Sequence, residues 1–474
     1  MKTELLILGG GPTGLGAAWR MQEVKRQNWL IVEASDGVGG LARSFADEQG
    51  FTWDIGGHVQ FSHYAYFDQV MDQLLGTDGW LNHQRESWIW IRDKFIPYPF
   101  QYNIHELPRP DLDRCLAGLV DAVRGPAKPV ANFRDWVLAS FGIGIAEVFM
   151  LPYNFKVWAY PPELLSADWI GDRVAAVDLK KVLHNLVHGK SDISWGPNRT
   201  FRFPKHGGTG AIWKKCAERL PPDRLVLKDE ALEVDLPRRT VRTRSGLTIE
   251  YDALLSTIPL PRLLIISGQN RFAPLVDRGL LFSTSNIFGI GLRGRPPEPL
   301  KTKCWMYFPE SNCPFYRVTV FSNYSPNNVP RPESQWSLMA EVSESPYKPE
   351  VQATMAESVI TGLLNTRLIE RRSDIVSVWK YRADLGYPTP SLHRDKALNE
   401  ILPFFEQNGV FPRGRFGAWK YEVSNQDHCF MQGVECVERL LHGQPEISIV
   451  DPNHANSKYH PWPFERWHVP PNAR

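Results

Sequence analysis

LLILGGGPTGLGAA, residues 5–18, decides the fold. A short apolar run from Leu5 to Leu8 feeds into Gly9, Gly11 and Gly14, the G-x-G-x-x-G spacing of a strand that turns into a helix. Each glycine has a physical task there: a tight turn, backbone approach to a pyrophosphate, and close contact between helix and strand. Phosphates would sit at the helix N-terminus, where unpaired N–H groups and the helix dipole favour anions. Gly16, Ala17 and Ala18 follow, small residues expected where this helix packs close to a strand. The glycines alone would be an even choice against an ordinary turn. Leu30-Ile31-Val32 decides it, because this second apolar run ends on Glu33, about twenty residues past the glycines, where an acid that binds a ribose belongs. The opening of the chain is therefore read as a β–α–β unit for a dinucleotide.

At 474 residues the chain has room for two or three domains with sizeable cores. Lys and Arg number 54 against 52 Asp and Glu, which argues against a nucleic-acid partner or a membrane surface and makes any anion binding local. Seventeen Trp, 15 Tyr and 24 Phe suit large, partly polar pockets. Cys115, Cys216, Cys304, Cys313, Cys429 and Cys436 form no C-x-x-C pair, and the last two have core spacing on one helix. They are read as buried, reduced thiols of a cytoplasmic protein, and no metal site is expected. No uninterrupted apolar run reaches the roughly 18 residues of a membrane span, so none is expected. The N-terminal run is too short for a signal peptide core and is read as the first strand.

Further along, Gly39-Gly40 and Gly56-Gly57 suggest backbone running beside a flat ligand. Helices are expected over 107–150, 178–188 and 428–441, the last with Gly443 as its cap. Pro152 is expected to open a new helix, PYNFKVWA, on which Asn154 and Trp158 share a face. After about residue 190 strands dominate. Residues 225–227, 231–235, 240–243 and 247–249 read as a small meander, with 253–258 as a separate return to the parallel sheet. Over 286–342 the alternation is strong: Trp305 and Tyr307 share one strand face, and Phe315, Arg317 and Thr319 share one on the next.

Sequence blocks along nearly the whole chain then converge. They are GGHVQFSHY at 56–64, HQRES at 83–87, PYPFQ at 97–101, PYNFKVWA at 152–159, GDRVAA at 171–176 and WGPNRTFRFP at 195–204. CWMYFPESNCPFYRVTVFSNYS at 304–325, GYPTP at 386–390 and GRFGAWKYEVSNQDH at 414–428 complete the set. In these blocks the chain resembles the flavin-dependent UDP-galactopyranose mutases, especially the longer, eukaryotic-type members. The resemblance implies an α/β fold of three discontinuous parts. A Rossmann-type FAD-binding domain would take 1–95, 205–275 and 410–474, a helical substrate-side domain 106–190, and an antiparallel sheet domain 96–105, 191–204 and 276–409. It also implies a small-molecule UDP-sugar substrate, FAD active in its reduced form, and NADPH or NADH needed only to prime the flavin. In such enzymes N5 of reduced FAD attacks the anomeric carbon and expels UDP. The sugar opens and recloses through a different hydroxyl, and UDP returns, so pyranose becomes furanose without net redox change.

The resemblance also implies residue roles. Arg173 and Arg317 match the pyrophosphate-binding arginines, and Tyr307, Tyr387 and Tyr421 match phosphate-contacting tyrosines. Tyr98, Gln101 and Phe149 match the uridine pocket, Asn154 and Trp158 the ribose contacts, and Asn198, Trp305 and Phe61 further substrate contacts. Gly9, Gly11, Gly14, Glu33, Gly40, Leu41, Ser44, Gly57, Arg85, Ser87, Arg415, Asn425 and Gln426 fall on the flavin side. His58, in the loop running to His63, lies beside the flavin as a catalytic residue, either as acid or base or as a shaper of the loop. Flaps over the substrate would be 170–178, carrying Arg173, and 194–200, carrying Asn198. Other readings stay open at this point: the same chemistry on another UDP-sugar, an amine-oxidase-type flavoenzyme with an apolar tunnel, or a flavoprotein that binds a nucleotide without chemistry. The oligomeric state is not readable.

Overall fold

The computed structural model describes residues 1–126, 129–171, 174, 177–192 and 199–462. The opening apolar run becomes the strand Lys2–Leu8, and Gly9, at φ 101°, turns it into the helix Pro12–Glu23. A Cβ at Gly14 would lie 2.0 Å from the Gly9 carbonyl oxygen, which is the expected helix–strand contact. Gly16 serves a different purpose from the one expected. A Cβ there would lie 2.3 Å from the Phe430 carbonyl oxygen, and one at Gly433 would lie 2.0 Å from that of Thr13. Both helices drop a side chain at their crossing, so at Gly16 the glycine helix packs backbone to backbone on the helix Gln426–His442, while its Gly14 side faces the strand.

The first sheet runs in the order Ala231–Asp235, Thr240–Thr243, Thr248–Ser256, Lys2–Leu8, Trp29–Val32, Leu225–Val226. Its middle strands alternate: Leu5 and Ile7 face one core, Leu6 and Leu8 the other. Leu225–Val226 is not part of the meander but pairs parallel with Trp29–Val32 at the sheet edge. The segments expected as 247–249 and 253–258 are one strand, Thr248–Ser256. From Glu250 onward it pairs parallel with Lys2–Leu8, while on its other side the start pairs antiparallel with Thr240–Thr243 and the end parallel with Val410–Pro412. The intervening polar residues do not break it because Ile249 and Tyr251 alternate inward while Glu250 and Asp252 point out.

The second sheet is ordered Ile375–Pro388, Phe282–Arg293, Gln335–Glu344, Arg317–Val320, Trp305–Tyr307, Ser87–Ile91, Lys94–Pro97. Trp305 lies opposite Thr319 and Tyr307 opposite Arg317, so the aromatic and cationic residues meet on neighbouring strands. Ser87–Ile91, expected in the nucleotide-binding segment, pairs into this second sheet. Thr200–Pro204 forms a separate two-stranded sheet with Trp80–Gln84.

The helical layer comprises Arg109–Arg124, Phe133–Ile145, Leu151–Trp158 and Leu179–His188, the last capped by the Asp178 side chain. Pro152 does not open a new helix. Phe133–Ile145 is kinked at Gly142, at φ 70°, and its last turn continues through a wider π turn, Ala146–Met150, into Leu151–Trp158, so that this wider ring sits next to the residue that lacks an N–H. The joined run Phe133–Trp158 is long and apolar enough to cross a membrane by length and composition, with half of its apolar window buried. Arg134, Asp135 and Glu147 interrupt this stretch, so no continuous apolar run marks it in the sequence. The final helix begins at Gln426, two residues before the expected start, and Gly443 caps it at φ 65°. All six cysteines are free and buried. The last twenty residues begin inside the short helix Pro452–Ser457.

Candidate active site

A cleft of about 900 Å³ lies where the carboxyl ends of the parallel strands meet the second sheet and the helical layer. Its cofactor half collects Gly9, Gly11, Glu33, Gly40, Leu41, Gly57, His58, Arg85, Arg415, Asn425 and Gln426. Two helix N-termini converge here, Gly11 ahead of Pro12–Glu23 and Asn425 ahead of Gln426–His442, and neither carries a side-chain cap. Their first N–H groups are therefore available to an anion. A Cβ at Gly11 would meet nothing within 4 Å, so open space faces this backbone. The Glu33 carboxylate is fixed at the strand end by the Gly10 N–H at 2.7 Å and by the N–H and hydroxyl of Ser35 at 2.8 and 2.7 Å. Gly14, Ser44 and Ser87 stand behind the lining. The Ser44 hydroxyl donates to Asp54 at 2.5 Å and accepts from the Gly210 N–H at 2.7 Å, and Ser87 is buried in its strand.

His58 borders both halves of the cleft. Burial, with the charges of Arg415 and Arg317, lowers its pKa to about 4 against the opposing pull of Glu341. The imidazole is therefore neutral at physiological pH. Its Nδ1 is shut away from water without a hydrogen-bond partner. An orphaned polar atom beside an open glycine backbone is what a flat, hydrogen-bonding cofactor would complete, and a flavin dinucleotide fits this half of the cleft. Nearby, His63 Nδ1 lies 2.9 Å from Asp427 Oδ2, and the two histidine neighbours hold Asp427 well below the usual carboxylate range although burial alone would raise it. His63, Asp427 and His428 stand close enough to hold a metal ion; the hydrogen bond to His63 Nδ1 already engages one carboxylate oxygen.

The opposite half is aromatic and cationic. Tyr98, Gln101, Phe149, Asn154, Trp158, Trp305, Tyr307, Arg317, Tyr387, Tyr421 and Phe61 all line it. Trp158 meets the Tyr421 and Tyr387 rings edge-on at 4.8 and 5.9 Å, and Tyr307 meets Tyr98 at 5.3 Å. Trp305 Nε1 donates to the Tyr307 hydroxyl. Asn154 donates to the Met150 carbonyl at 2.7 Å, which locks its amide on the cleft side of the helix. Arg415 lies over Tyr387 at 4.8 Å and donates to Gly386 O at 2.9 Å and Ser424 Oγ at 2.9 Å. Arg317 donates Nε and Nη2 to Glu341 at 2.7 and 2.8 Å. Burial pushes Glu341 upward, but Arg317, the Tyr316 hydroxyl and the Gly57 N–H outweigh it and keep the carboxylate ionised.

Comparison with known proteins agrees with this geometry. The family of flavin-containing amine oxidoreductases matches residues 12–280, more than half of the chain. A crystal structure of a reduced UDP-galactopyranose mutase is 46% identical, covers 97% of this chain and 98% of its own, and superposes with a TM-score of 0.94. The chain belongs to the UDP-galactopyranose mutase family. More distant solved structures share the fold. A conjugated-linoleic-acid-producing fatty acid isomerase from P. acnes is 15% identical over 93% of the chain and 99% of its own, with a TM-score of 0.62. A putrescine oxidase bound to putrescine is 14% identical over the same shares, with a TM-score of 0.60.

Membership of the mutase family brings FAD as the cofactor. Arg173 and Asn198 lie outside the described residues, as do part of the flap expected at 170–178 and most of the one expected at 194–200, although Val174 reaches the cleft. Among the cleft residues that the sequence does not single out, Tyr153 and Glu341 matter most. Tyr153 lines the cleft and stacks on Phe149 at 5.2 Å, one position before Asn154. Glu341 is the more consequential omission. Its signal was available: an acid in the middle of the apolar strand WSLMAEV has to be paired where it is buried.

Proposed function

We propose that the chain interconverts UDP-galactopyranose and UDP-galactofuranose, with FAD in its reduced form supplying the nucleophile at N5 and no net oxidation. The observation that carries this reading is one continuous cleft that joins a dinucleotide cradle to a wall of arginines, tyrosines and tryptophan. An oxidase of small amines or hydrocarbons calls for an apolar tunnel instead, which the charged lining does not favour.

The chain's own residues act mostly by holding. Arg317, braced by Glu341, presents a guanidinium to the leaving diphosphate, and Arg173 would approach from the flap to share it. A charge-assisted hydrogen bond of this kind contributes about 1.5–3 kcal/mol, and the fork geometry of arginine adds direction. Tyr307, Tyr387 and Tyr421 supply hydroxyl donors that hold UDP without adding charge, which keeps it near enough to recombine. Tyr98, Phe149 and Gln101 offer ring faces and an amide for the uracil, and Asn154 and Trp158 a surface for its ribose. His58, neutral at physiological pH, accepts or donates one hydrogen bond at the flavin without adding a positive charge. Trp305 and Asn198 would contact the sugar. The three-part division into nucleotide-binding, helical and sheet domains goes with this reading, with the strand Ser87–Ile91 assigned to the sheet part. A cytoplasmic setting goes with it as well, supported by six cysteines held as free thiols.

The test is to incubate UDP-galactofuranose with dithionite-reduced protein and separate the products by chromatography. Conversion to UDP-galactopyranose is expected with reduced and not with oxidised protein. Tight UDP binding with no conversion in either state would overturn the proposal, and steady oxygen consumption with an amine would replace it by an oxidase.

A further inference from the structure

Lys156 lies two residues beyond Asn154, on the opposite side of the helix Leu151–Trp158 from the cleft. It is buried, 8% exposed, beside Cys313, which is 5% exposed. Its Nζ donates to the carbonyl oxygens of Glu310 and Cys313 at 2.9 and 3.0 Å and lies 3.5 Å from Cys313 Sγ. Glu310 and Cys313 belong to the turn between Trp305–Tyr307 and Arg317–Val320, the strands that carry Tyr307 and Arg317 into the cleft. Among the described residues, no other cysteine is hydrogen-bonded to a lysine nitrogen.

We propose that Lys156 and Cys313 form a reversible nitrogen–sulfur bond under hydrogen peroxide, fastening the substrate-side helix to this turn. In the first step the Cys313 sulfur attacks one peroxide oxygen. The O–O bond breaks, two electrons pass from sulfur to peroxide, and a sulfenic acid and one water result. In the second, the neutral Lys156 nitrogen attacks the same sulfur. The S–O bond breaks, and the hydroxyl leaves with a proton from nitrogen as a second water. Thiol, amine and one peroxide thus give a sulfenamide and two waters. A small thiol reverses the bond by attacking the sulfur, which frees the amine and leaves a mixed disulfide for a second thiol to resolve.

Three observations support this. The nitrogen and sulfur already stand at about the 3–3.5 Å of a near-attack arrangement. Burial lowers the Lys156 pKa and favours the nucleophilic free amine, with Lys348 adding to that effect and Cys313 and Glu310 opposing it. Burial raises the Cys313 thiol, but Lys156 pulls the other way. The sulfur also sits just beneath a surface turn whose Ser311 and Asn312 are exposed, so a molecule as small as peroxide needs only a slight opening.

The test is peptide mapping of the FAD-loaded protein after peroxide treatment, without reductant. A linked peptide containing residues 156 and 313 is expected, lighter than its two parts by two hydrogens and released by dithiothreitol. The Cys313→Ser variant should lack it. Wild-type protein unfolded in urea before the peroxide should give unlinked, over-oxidised Cys313, a control that requires no variant to fold. Native protein in which Cys313 is oxidised without a link, or stays reduced while other cysteines oxidise, would overturn the proposal. A link that retains an oxygen would overturn the direct bond.

Discussion

Replacing Glu341 with glutamine keeps the shape of the side chain and removes its charge. In the native protein Oε1 accepts from Arg317 Nε and from the Gly57 N–H, while Oε2 accepts from Arg317 Nη2 and from the Tyr316 hydroxyl. A glutamine carbonyl can keep the two partners of Oε1. Its NH2 group then faces Arg317 Nη2, donor against donor, while the Tyr316 hydroxyl recovers by turning to accept. What disappears is one charge-assisted hydrogen bond, about 1.5–3 kcal/mol, and the counter-charge of a guanidinium. Removing one partner of a buried pair costs about 3–5 kcal/mol, and the Arg317 side chain, 21% exposed, places this case near the lower end, at about 3 kcal/mol. The assay is urea unfolding of both proteins across pH. Glu341 has a native pKa below its ordinary 4.5, so its contribution is present above that value and is lost as pH falls through the lower native one. The gap between wild type and E341Q should therefore stand at neutral pH and close in acid below 4.5. A gap under roughly 0.5 kcal/mol at neutral pH, the size expected of an ordinary surface substitution, or one that acid does not narrow, refutes the argument.

Alanine at Arg317, and separately at Arg173, should lower turnover by orders of magnitude while the flavin absorbance of the purified protein is unchanged; near-native activity in both would remove them from the site. Gly16→Ala places a Cβ 2.3 Å from the Phe430 carbonyl oxygen and should cost about 1–3 kcal/mol with loss of bound FAD. Gly11→Ala, with nothing within 4 Å, should unfold like wild type and lose only cofactor affinity, and equal unfolding of the two variants would count against the packing argument.

The parts of the fold that local chemistry dictates were legible in the sequence. The glycine fingerprint, Glu33 and the Gly443 cap each need a particular residue for a nearby backbone reason, and each took its expected place. The partner of Gly16 was not legible, because a glycine says that something comes close without saying what. Thr248–Ser256 was divided in two because its middle residues alternate between a core and solvent, and a window a few residues wide sees only the interruption. Pro152 carried a true local signal, a missing N–H, which tertiary packing satisfied with a widened turn instead of a helix start. The aromatic wall and Arg317 were found through the family resemblance; spacing alone would have left Trp305 and Tyr307 as ordinary core. Glu341 lines the cleft and is held by Arg317, Tyr316 and Gly57, partners on other elements that its own strand's sequence does not reveal.

The crossing of the glycine helix with the helix Gln426–His442 has a consequence for how the protein acquires its cofactor during synthesis. The two halves of the phosphate cradle are separated by some four hundred residues, and the first cannot settle until the second has been made. A ribosome-bound chain halted before Gln426 should therefore hold no flavin, however well its opening strand and helix have formed. Loading with FAD becomes one of the last events of folding, and a nascent chain that binds it early would show that the amino-terminal unit is complete in itself.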